Sequence, residues 1–325
     1  MIEGLVSTII PVFNRPALLG EAVGSVLAQD YPAIEIIIVD DGSDDPAMEG
    51  ALEECCRLGA GTARVIKQPN SGPGAARQRG LEAAQGEFVQ FLDSDDLLTK
   101  DKFRLQVEAL RRKPEAGVCY GKTRYVLESG EMIAPWRRTG EEIPAMFPSL
   151  LAERWWGTTT PLYRWSVLKD VGPISELRNE EDWEFDCRIA AQGVQLAWVD
   201  EWVSEQRGIA PDRASAGGST DPAKLRDRAR ARELILESAL RAGISPATPE
   251  FQTFIRYSFL LARQCAAAGL AAEGERLVRR LNDVSPHALM RLYLLAGCSI
   301  GFGPATRIAE RAHRLLNGRP EAAPR

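Results

Sequence analysis

At 325 residues the chain is long enough for a full hydrophobic core and, by length alone, for about two domains. Hydrophobic residues make up 45% and charged residues 26%, which excludes a disordered or fibrous chain, and no apolar run reaches the ~18 residues of a membrane-spanning helix. The net charge of −5 excludes no partner by itself, but it is divided: residues 1–221 carry −13 (23 Lys+Arg against 36 Asp+Glu) and residues 222–325 carry +8 (17 against 9).

Leu5-Val6-Ser7-Thr8-Ile9-Ile10 is rich in β-branched residues and stops at Pro11, which predicts a first buried strand. From Pro16 the apolar positions Leu18, Leu19, Ala22, Val23, Val26 and Leu27 follow a helical period. A second β-branched run, Ile34 to Val39, closes on Asp40-Asp41-Gly42-Ser43. A helix over 46–58, a strand over 63–66, a helix over 74–84 and a strand over 87–92 follow. Strand and helix thus alternate four times, the pattern of a parallel sheet with crossover helices. A helix over 100–112 and a strand over 118–120 come next.

Three polar clusters stand at the carboxyl ends of predicted strands: Pro11-Val12-Phe13-Asn14, Asp40-Asp41-Gly42-Ser43 and Asp93-Ser94-Asp95-Asp96. In a parallel sheet these ends share one rim, where open α/β sheets bind ligands. Three carboxylates within four residues repel one another unless a cation sits among them, and hard divalent cations take oxygen ligands. The same residues also suit a helix start, with Asp95 or Asp96 as N-cap before Leu97, and the two readings are compatible. Asn70-Ser71-Gly72-Pro73-Gly74 opens a helix bearing Arg77 and Arg79. Such a turn can offer backbone N–H groups to phosphate oxygens, although it lacks the Gly-Lys of a P-loop. Acids, a divalent ion and arginines together suit a nucleotide diphosphate.

Ser7 to Arg15, Val39-Asp40-Asp41-Gly42-Ser43, Asn70-Ser71-Gly72 followed by Ala76-Arg77, and Gly86-Glu87-Phe88 running into Asp93-Ser94-Asp95-Asp96 occur in this order. Together they resemble a family 2 glycosyltransferase of the GT-A fold. The resemblance implies an α/β, Rossmann-like GT-A architecture with a mostly parallel central sheet flanked by helices. It implies a nucleotide-sugar site built from Pro11, Val12, Phe13, Asn14, Asp40, Asp41, Arg77, Asp93 and Ser94. Asp40 or Asp41 would meet the base edge, and Arg77 the base or the diphosphate. Asp95 would hold Mn²⁺ or Mg²⁺, with Asp93 reaching the metal, the ribose or the donor sugar. Asp96 is a further family-typical acid. Gln78 stands where the family often has Asn, a small departure.

Every tryptophan falls between Trp136 and Trp202. Large aromatics are mostly core, and one or two of these are expected to line an acceptor site. Gly157-Thr158-Thr159-Thr160-Pro161 leads on towards Glu180-Glu181-Asp182-Trp183-Glu184-Phe185-Asp186, where helical spacing makes the acids the opening of a helix. First-turn acids are common, but here they resemble the family's Glu-Asp motif. That implies Asp182 as general base, Glu181 as its neighbour and Asp186 as a competing candidate. After a strand over 196–199, Arg207 is present while the family's nearby His is not. The Gln-x-x-Arg-Trp sequence of processive synthases is also missing, so a non-processive enzyme is expected. Ala210 to Asp221 reads as a lid or a linker.

Helical faces then recur: Leu225 to Leu240, ended by Gly243; Phe251 to Ala262; Leu270 to Leu281; and shorter stretches over 288–295 and 306–316. Leu289 to Leu295 beside Arg-rich helices suits an anionic membrane surface, or else packing on the catalytic domain. Gly318 to Arg325 reads as a disordered tail. The expected division is a catalytic domain over 1–221, its nucleotide-sugar half ending at 120, and a helical region over 222–325. The six cysteines have no framework or Cys-x-x-Cys spacing, which fits reduced thiols, and the N-terminus lacks a signal-peptide pattern.

The resulting expectation is a cytoplasmic, metal-dependent, inverting glycosyltransferase, with peripheral contact at the inner membrane face through its C-terminal helices. It would move sugar from a nucleotide diphosphate sugar, UDP-sugar favoured, to a hydroxyl acceptor such as a lipid-linked glycan, in surface polysaccharide or glycoconjugate synthesis. No nucleic acid partner is expected. The alternatives are an inactive sugar-nucleotide-binding or scaffold protein, and a nucleotidyltransferase, for which the Gly-rich, Lys-bearing loop is lacking.

Overall fold

The computed structural model describes residues 1–208 and 220–317. The tail expected from 318, and all but the last two residues of the loop expected over 210–221, lie outside the described residues. The first elements are β1 (Ile2–Val12), α1 (Pro16–Leu27), β2 (Ile34–Asp40), α2 (Met48–Leu58), β3 (Ala63–Lys67), α3 (Pro73–Ala83) and β4 (Gly86–Phe91). They are followed by β5 (Leu97–Leu98), α4 (Lys102–Arg112), β6 (Ala116–Val126), β7 (Met132–Ile133), α5 (Ser149–Ala152), β8 (Leu162–Arg164), α6 (Trp165–Leu168), α7 (Glu181–Ala190) and β9 (Gln195–Arg207). Five helices close the described chain: α8 (Pro222–Arg241), α9 (Pro249–Ala267), α10 (Ala271–Val284), α11 (Ala288–Ile300) and α12 (Phe302–Asn317).

Among the described residues, one sheet runs β3-β2-β1-β4-β8-β6-β9-β5, with β7 paired to β6. It is parallel from β3 to β4 and mixed beyond, since β8 runs antiparallel to both β4 and β6 while β6 and β9 are parallel. Central parallel strands are covered on both faces, which is why Ile9, Ile10 and Ile36 to Val39 are all fully buried and read as unbroken apolar runs. The register sets Val12 beside Asp40, so the loops after β1 and β2 leave the sheet at one level. Helix α3 lies close on β1: a Cβ at Gly80 would fall 2.3 Å from Ile9 Cγ2.

Strands β6 and β9 are far longer than the short strands expected over 118–120 and 196–199. Their interior carries hydroxyls that satisfy one another, Thr123 Oγ1 lying 2.8 Å from Thr160 Oγ1 and 3.0 Å from Ser204 Oγ. Polar residues buried in this way break the apolar pattern without breaking the strand. A second expectation fails at Asp96, which caps no helix. Leu97 and Leu98 pair with Glu205 and Ser204 of β9 before the chain can turn helical, and α4 begins only at Lys102. Trp155 and Trp156 pack on each other and on Tyr120 with no exposure, so they belong to the core.

The chain divides into two compact units. The first comprises Met1–Met146, Arg154–Glu176 and Arg188–Arg213 and contains the sheet. The second comprises Phe147–Glu153, Leu177–Cys187 and Ala214–Arg325. In it α8 starts on Asp221, whose side chain accepts the Ala223 N–H, and stops before Gly243 at φ +69°. Helices α11 and α12 run longer than expected. The leucines of α11 point outward, Leu289, Leu292 and Leu295 being 64–69% exposed, while Met290, Tyr293 and Gly297 face inward.

Candidate active site

The loop after β1 is fixed to the loop after β2 by Asn14, which adopts a left-handed φ of +53°, a conformation Asn tolerates better than most residues. Its amide nitrogen donates to Asp44 Oδ1 at 2.6 Å, and its Oδ1 accepts the N–H groups of Asp44 and Asp45 at 2.9 and 3.0 Å. The Asn14 N–H in turn reaches Ser43 Oγ at 2.9 Å. Val12 is buried in the core, and its carbonyl accepts the Asp41 N–H; Pro11 lies half-buried in register with Val39. Phe13 is 40% exposed, which leaves its ring free to face a flat ligand.

After β2 the two aspartates divide their work. Asp40 Oδ1 accepts the Ser43 N–H at 3.0 Å. Asp41 is buried and turns to the 68–72 loop: Oδ1 accepts from Gln68 Nε2 and the Ser71 N–H, and Oδ2 from the Gly72 N–H, each at 2.8 Å. Gly42 is required here, having φ +75° and a would-be Cβ only 2.6 Å from the Asn70 nitrogen. These bonds commit the N–H groups of Ser71 and Gly72 to Asp41 and withdraw those two from the phosphate cradle expected of the Gly-rich turn. The turn's contribution is to launch α3 and so to place Arg77. Gln78 accepts the Ile174 N–H at 3.0 Å and donates to Glu82.

At the end of β4 the three acids part company. Asp93 pairs with Arg77 at 2.7 Å and Asp95 with Arg15 at 3.1 Å. Asp96 turns inward, where Oδ2 accepts the Thr159 hydroxyl at 2.7 Å and Oδ1 the Arg207 N–H at 2.9 Å. Burial pushes the Asp96 carboxyl well above the usual carboxylate range, and the charges of Asp93 and Asp95 push the same way. Arg207 also donates through Nε to the Asp95 carbonyl at 2.6 Å and pairs with Glu21. Ser94 is buried within the turn. Next to Thr159, the Thr160 carbonyl accepts from Lys102 Nζ at 2.8 Å and Gln106 Nε2 at 3.2 Å. Lys102 has no exposure, and burial lowers its pKa to about 7.

Among the described residues no three His, Cys, Asp or Glu side chains converge as a metal-binding group. The hard oxygen donors of Asp93 and Asp95 nevertheless fit a Mg²⁺-type ion, which commonly takes one or two carboxylates and completes its shell with water and phosphate oxygens. Arg15, Thr159 and Lys102 join the site only through the structure. Arg15 lies within the first motif, whereas nothing in the spacing of Thr159 and Lys102 marks them.

The candidate base motif belongs to the second unit. Glu180, at φ +61°, precedes α7, and its carbonyl accepts the Glu184 N–H that opens the helix. Asp182 is half-buried, its Oδ1 accepting the Trp183 N–H at 2.7 Å. Glu181, Glu184 and Asp186 are buried, the last at 1% exposure, so Asp182 is the more accessible of the helix's two aspartates.

The signature described as Glycosyl transferase family 2 matches residues 7–166. A Bacillus subtilis protein, TuaG, named as a candidate teichuronic acid biosynthesis glycosyltransferase, is 40% identical over 109 residues, covering 34% of this chain and 43% of TuaG. Such alignments span between 14% and 43% of the lengths of the curated relatives. The fold is similar to that of S. aureus TarS 1-349, with TM-score 0.71 at 22% identity over 96% of this chain and 92% of that one; TarS has been crystallised with UDP and with UDP-GlcNAc. It is also similar to the mannosyltransferase PcManGT of Pyrobaculum calidifontis in complex with GDP-Man and Mn²⁺, at TM-score 0.55 and 17% identity over 98% of this chain and 89% of that one.

Proposed function

Because the chain carries a family 2 glycosyltransferase domain of GT-A fold, we propose that it moves a sugar from a nucleotide diphosphate sugar to an acceptor hydroxyl. The reading is of an inverting, non-processive enzyme of surface polysaccharide or glycoconjugate synthesis. The observation that carries it is the acid turn: Asp93 and Asp95 stand at the end of β4, each beside an arginine from a different loop or helix. Carboxylates interleaved with guanidinium groups suit a ligand that brings both a cation and phosphate oxygens.

In this reading Asp95, with Asp93, holds Mn²⁺ or Mg²⁺. When bound, such an ion supplies Lewis-acid stabilisation of the charge on the departing diphosphate. Arg77 and Arg15 bind phosphate oxygens and offset the same charge. Phe13 covers the base, while Asp40, Asp41 and Asn14 hold the loops around it. Asp182 accepts the proton of the acceptor hydroxyl as that oxygen attacks the anomeric carbon, and the bond to the diphosphate oxygen breaks on the opposite face. A single back-side displacement of this kind inverts the anomeric centre.

A UDP-sugar is favoured because TarS binds UDP and UDP-GlcNAc, with GDP-mannose as the competing donor from PcManGT. No helix of the described residues is long and apolar enough to cross a membrane. The outward leucines of α11, with exposed Arg291 among them, support peripheral contact with an anionic lipid surface. The buried free thiols of Cys55, Cys119 and Cys265 support a cytoplasmic setting. The test is a thermal-shift screen of UDP- and GDP-sugars with Mn²⁺, followed by assay of nucleotide release and of the product's anomeric configuration. A chain that binds no sugar nucleotide, or yields a retained anomer, sinks the proposal.

A further inference from the structure

Among the second unit's contacts, one group of residues converges on the residue that precedes the candidate base helix. Glu180 Oε1 accepts from Arg228 Nε at 2.9 Å and from Arg232 Nη2 at 3.2 Å, both from α8. Next to Arg228 on α8, Asp227 Oδ2 accepts the Arg178 N–H at 3.0 Å. The Arg232 guanidinium lies over the Trp183 ring, 4.0 Å from its centroid, and 5.8 Å from that of Phe254 on α9. Trp183 is itself held by its indole N–H, which donates to the Leu150 carbonyl at 2.8 Å.

The arrangement is costly. Arg232 has only 6% exposure, and a guanidinium that buried is unfavourable unless it is paired. Glu180 adopts φ +61°, a conformation that L residues other than Asn and Asp seldom take. A surface helix needs neither expense to pack. Both are understandable if the backbone on either side of Asp182 must be held in one place, with residues 178, 180 and 183 each gripped by a separate contact.

We infer that Arg228, Arg232 and Glu180 are positioning residues, through which α8 sets the direction of the Asp182 carboxylate. The inference rests on the reading of Asp182 as the base. It gives the C-terminal helical region a part in the chemistry without any of its side chains touching substrate. A carboxylate misplaced by about 1 Å loses on the order of a hundredfold in rate while the donor still binds, so the signature is a fall in kcat at constant donor KM.

The test uses the full chain with Glu180→Gln, Arg228→Met, Arg228→Lys, Arg232→Met and Asp182→Asn. Nucleotide release is followed from UDP-GlcNAc or GDP-mannose with Mn²⁺, and amide hydrogen exchange is read at residues 181–184. Arg228→Met and Glu180→Gln are expected to lower kcat by at least about tenfold with KM unchanged, and to speed exchange in the first turn of α7. Arg228→Lys, which keeps a charge beside Glu180, restores both. Should Arg232→Met not fold, the less buried Arg228 and the isosteric Glu180→Gln carry the decision. Folded variants with wild-type kcat, or with unchanged exchange at 181–184, overturn the positioning role. An active Asp182→Asn enzyme overturns the base assignment instead, and the two failures are thereby told apart.

Discussion

Asp41 Oδ2 accepts the backbone N–H of Gly72 at 2.8 Å, tying the loop after β2 to the start of α3 across 31 residues. Since Oδ1 of the same carboxylate takes two more donors, both of its oxygens are engaged. Asp41→Asn is therefore not a mild change. Its amide nitrogen cannot accept, so a buried N–H of Ser71 or Gly72 is left facing another donor. The expected loss is about 1–3 kcal/mol of stability in urea unfolding, with weaker nucleotide binding because Arg77 rides on α3. Wild-type stability in this variant contradicts the geometry.

Removing the metal-side carboxylate separates two contributions to nucleotide binding. Asp95→Ala is expected to abolish the gain in UDP or GDP affinity that Mn²⁺ brings, a loss of at least about tenfold. It leaves Arg15 without its 3.1 Å partner and so strengthens the metal-free component. Titration calorimetry with and without Mn²⁺ reads both, and an unchanged Mn²⁺ dependence rules Asp95 out as a metal ligand.

The two aspartates of α7 are expected to behave differently. Asp182→Asn lowers kcat by about 10²–10⁴-fold without altering nucleotide affinity, as removal of a general base does. Asp186, at 1% exposure, is sealed in, so Asp186→Asn acts on the melting temperature and only through it on rate. Paired melting and rate measurements distinguish them, and a reversed pattern transfers the base role to Asp186.

Much of this molecule can be read before any coordinates. Ile9, Ile10 and Ile36 to Val39 are buried on both faces, so the apolar runs announce their strands directly. The acid turn is as visible, because three carboxylates in four residues demand an explanation. What stays hidden is hydrogen bonding to backbone, which has no period. Nothing in the spacing of Asn14 or Asp41 says that one grips residues 44–45 and the other residues 71–72. Thr123 and Ser204 hide the length of β6 and β9 by satisfying each other inside the sheet. In α11 the sequence leaves two readings open, and only the structure shows Leu289, Leu292 and Leu295 outward with Met290 and Tyr293 inward.

Lys102 gives the protein a stability term that depends on pH. Its folded pKa of about 7 lies below the usual 10.5, so between these values the unfolded chain binds more protons than the folded one. Stability therefore rises as pH increases from about 7 towards 10.5, and the full cost of burial is present below 7. Lys102→Met removes that slope, and the Thr160 carbonyl keeps Gln106 as a donor. Denaturation at pH 6.5 and 9.5 is expected to show the variant gaining on the wild type at the lower pH, by an amount on the order of a few kcal/mol. Parallel pH profiles for the two proteins contradict the burial of a neutral lysine.

The second unit gathers Phe147–Glu153 and Leu177–Cys187 with helices made more than thirty residues later. When residue 221 leaves the ribosome, the acid turn has been synthesised together with Arg15, Arg77, Thr159 and Arg207, which contact it. Arg228 and Arg232, which hold Glu180, have not, nor has α9, against which α5 packs. The two units are thus completed at different moments of synthesis, and the segment carrying the proposed base waits for the last third of the chain. A polypeptide cut at 221 lacks the helices of the second unit and is expected to bare the otherwise buried Leu150, Leu151 and Trp183 together, an apolar patch of the kind chaperones bind.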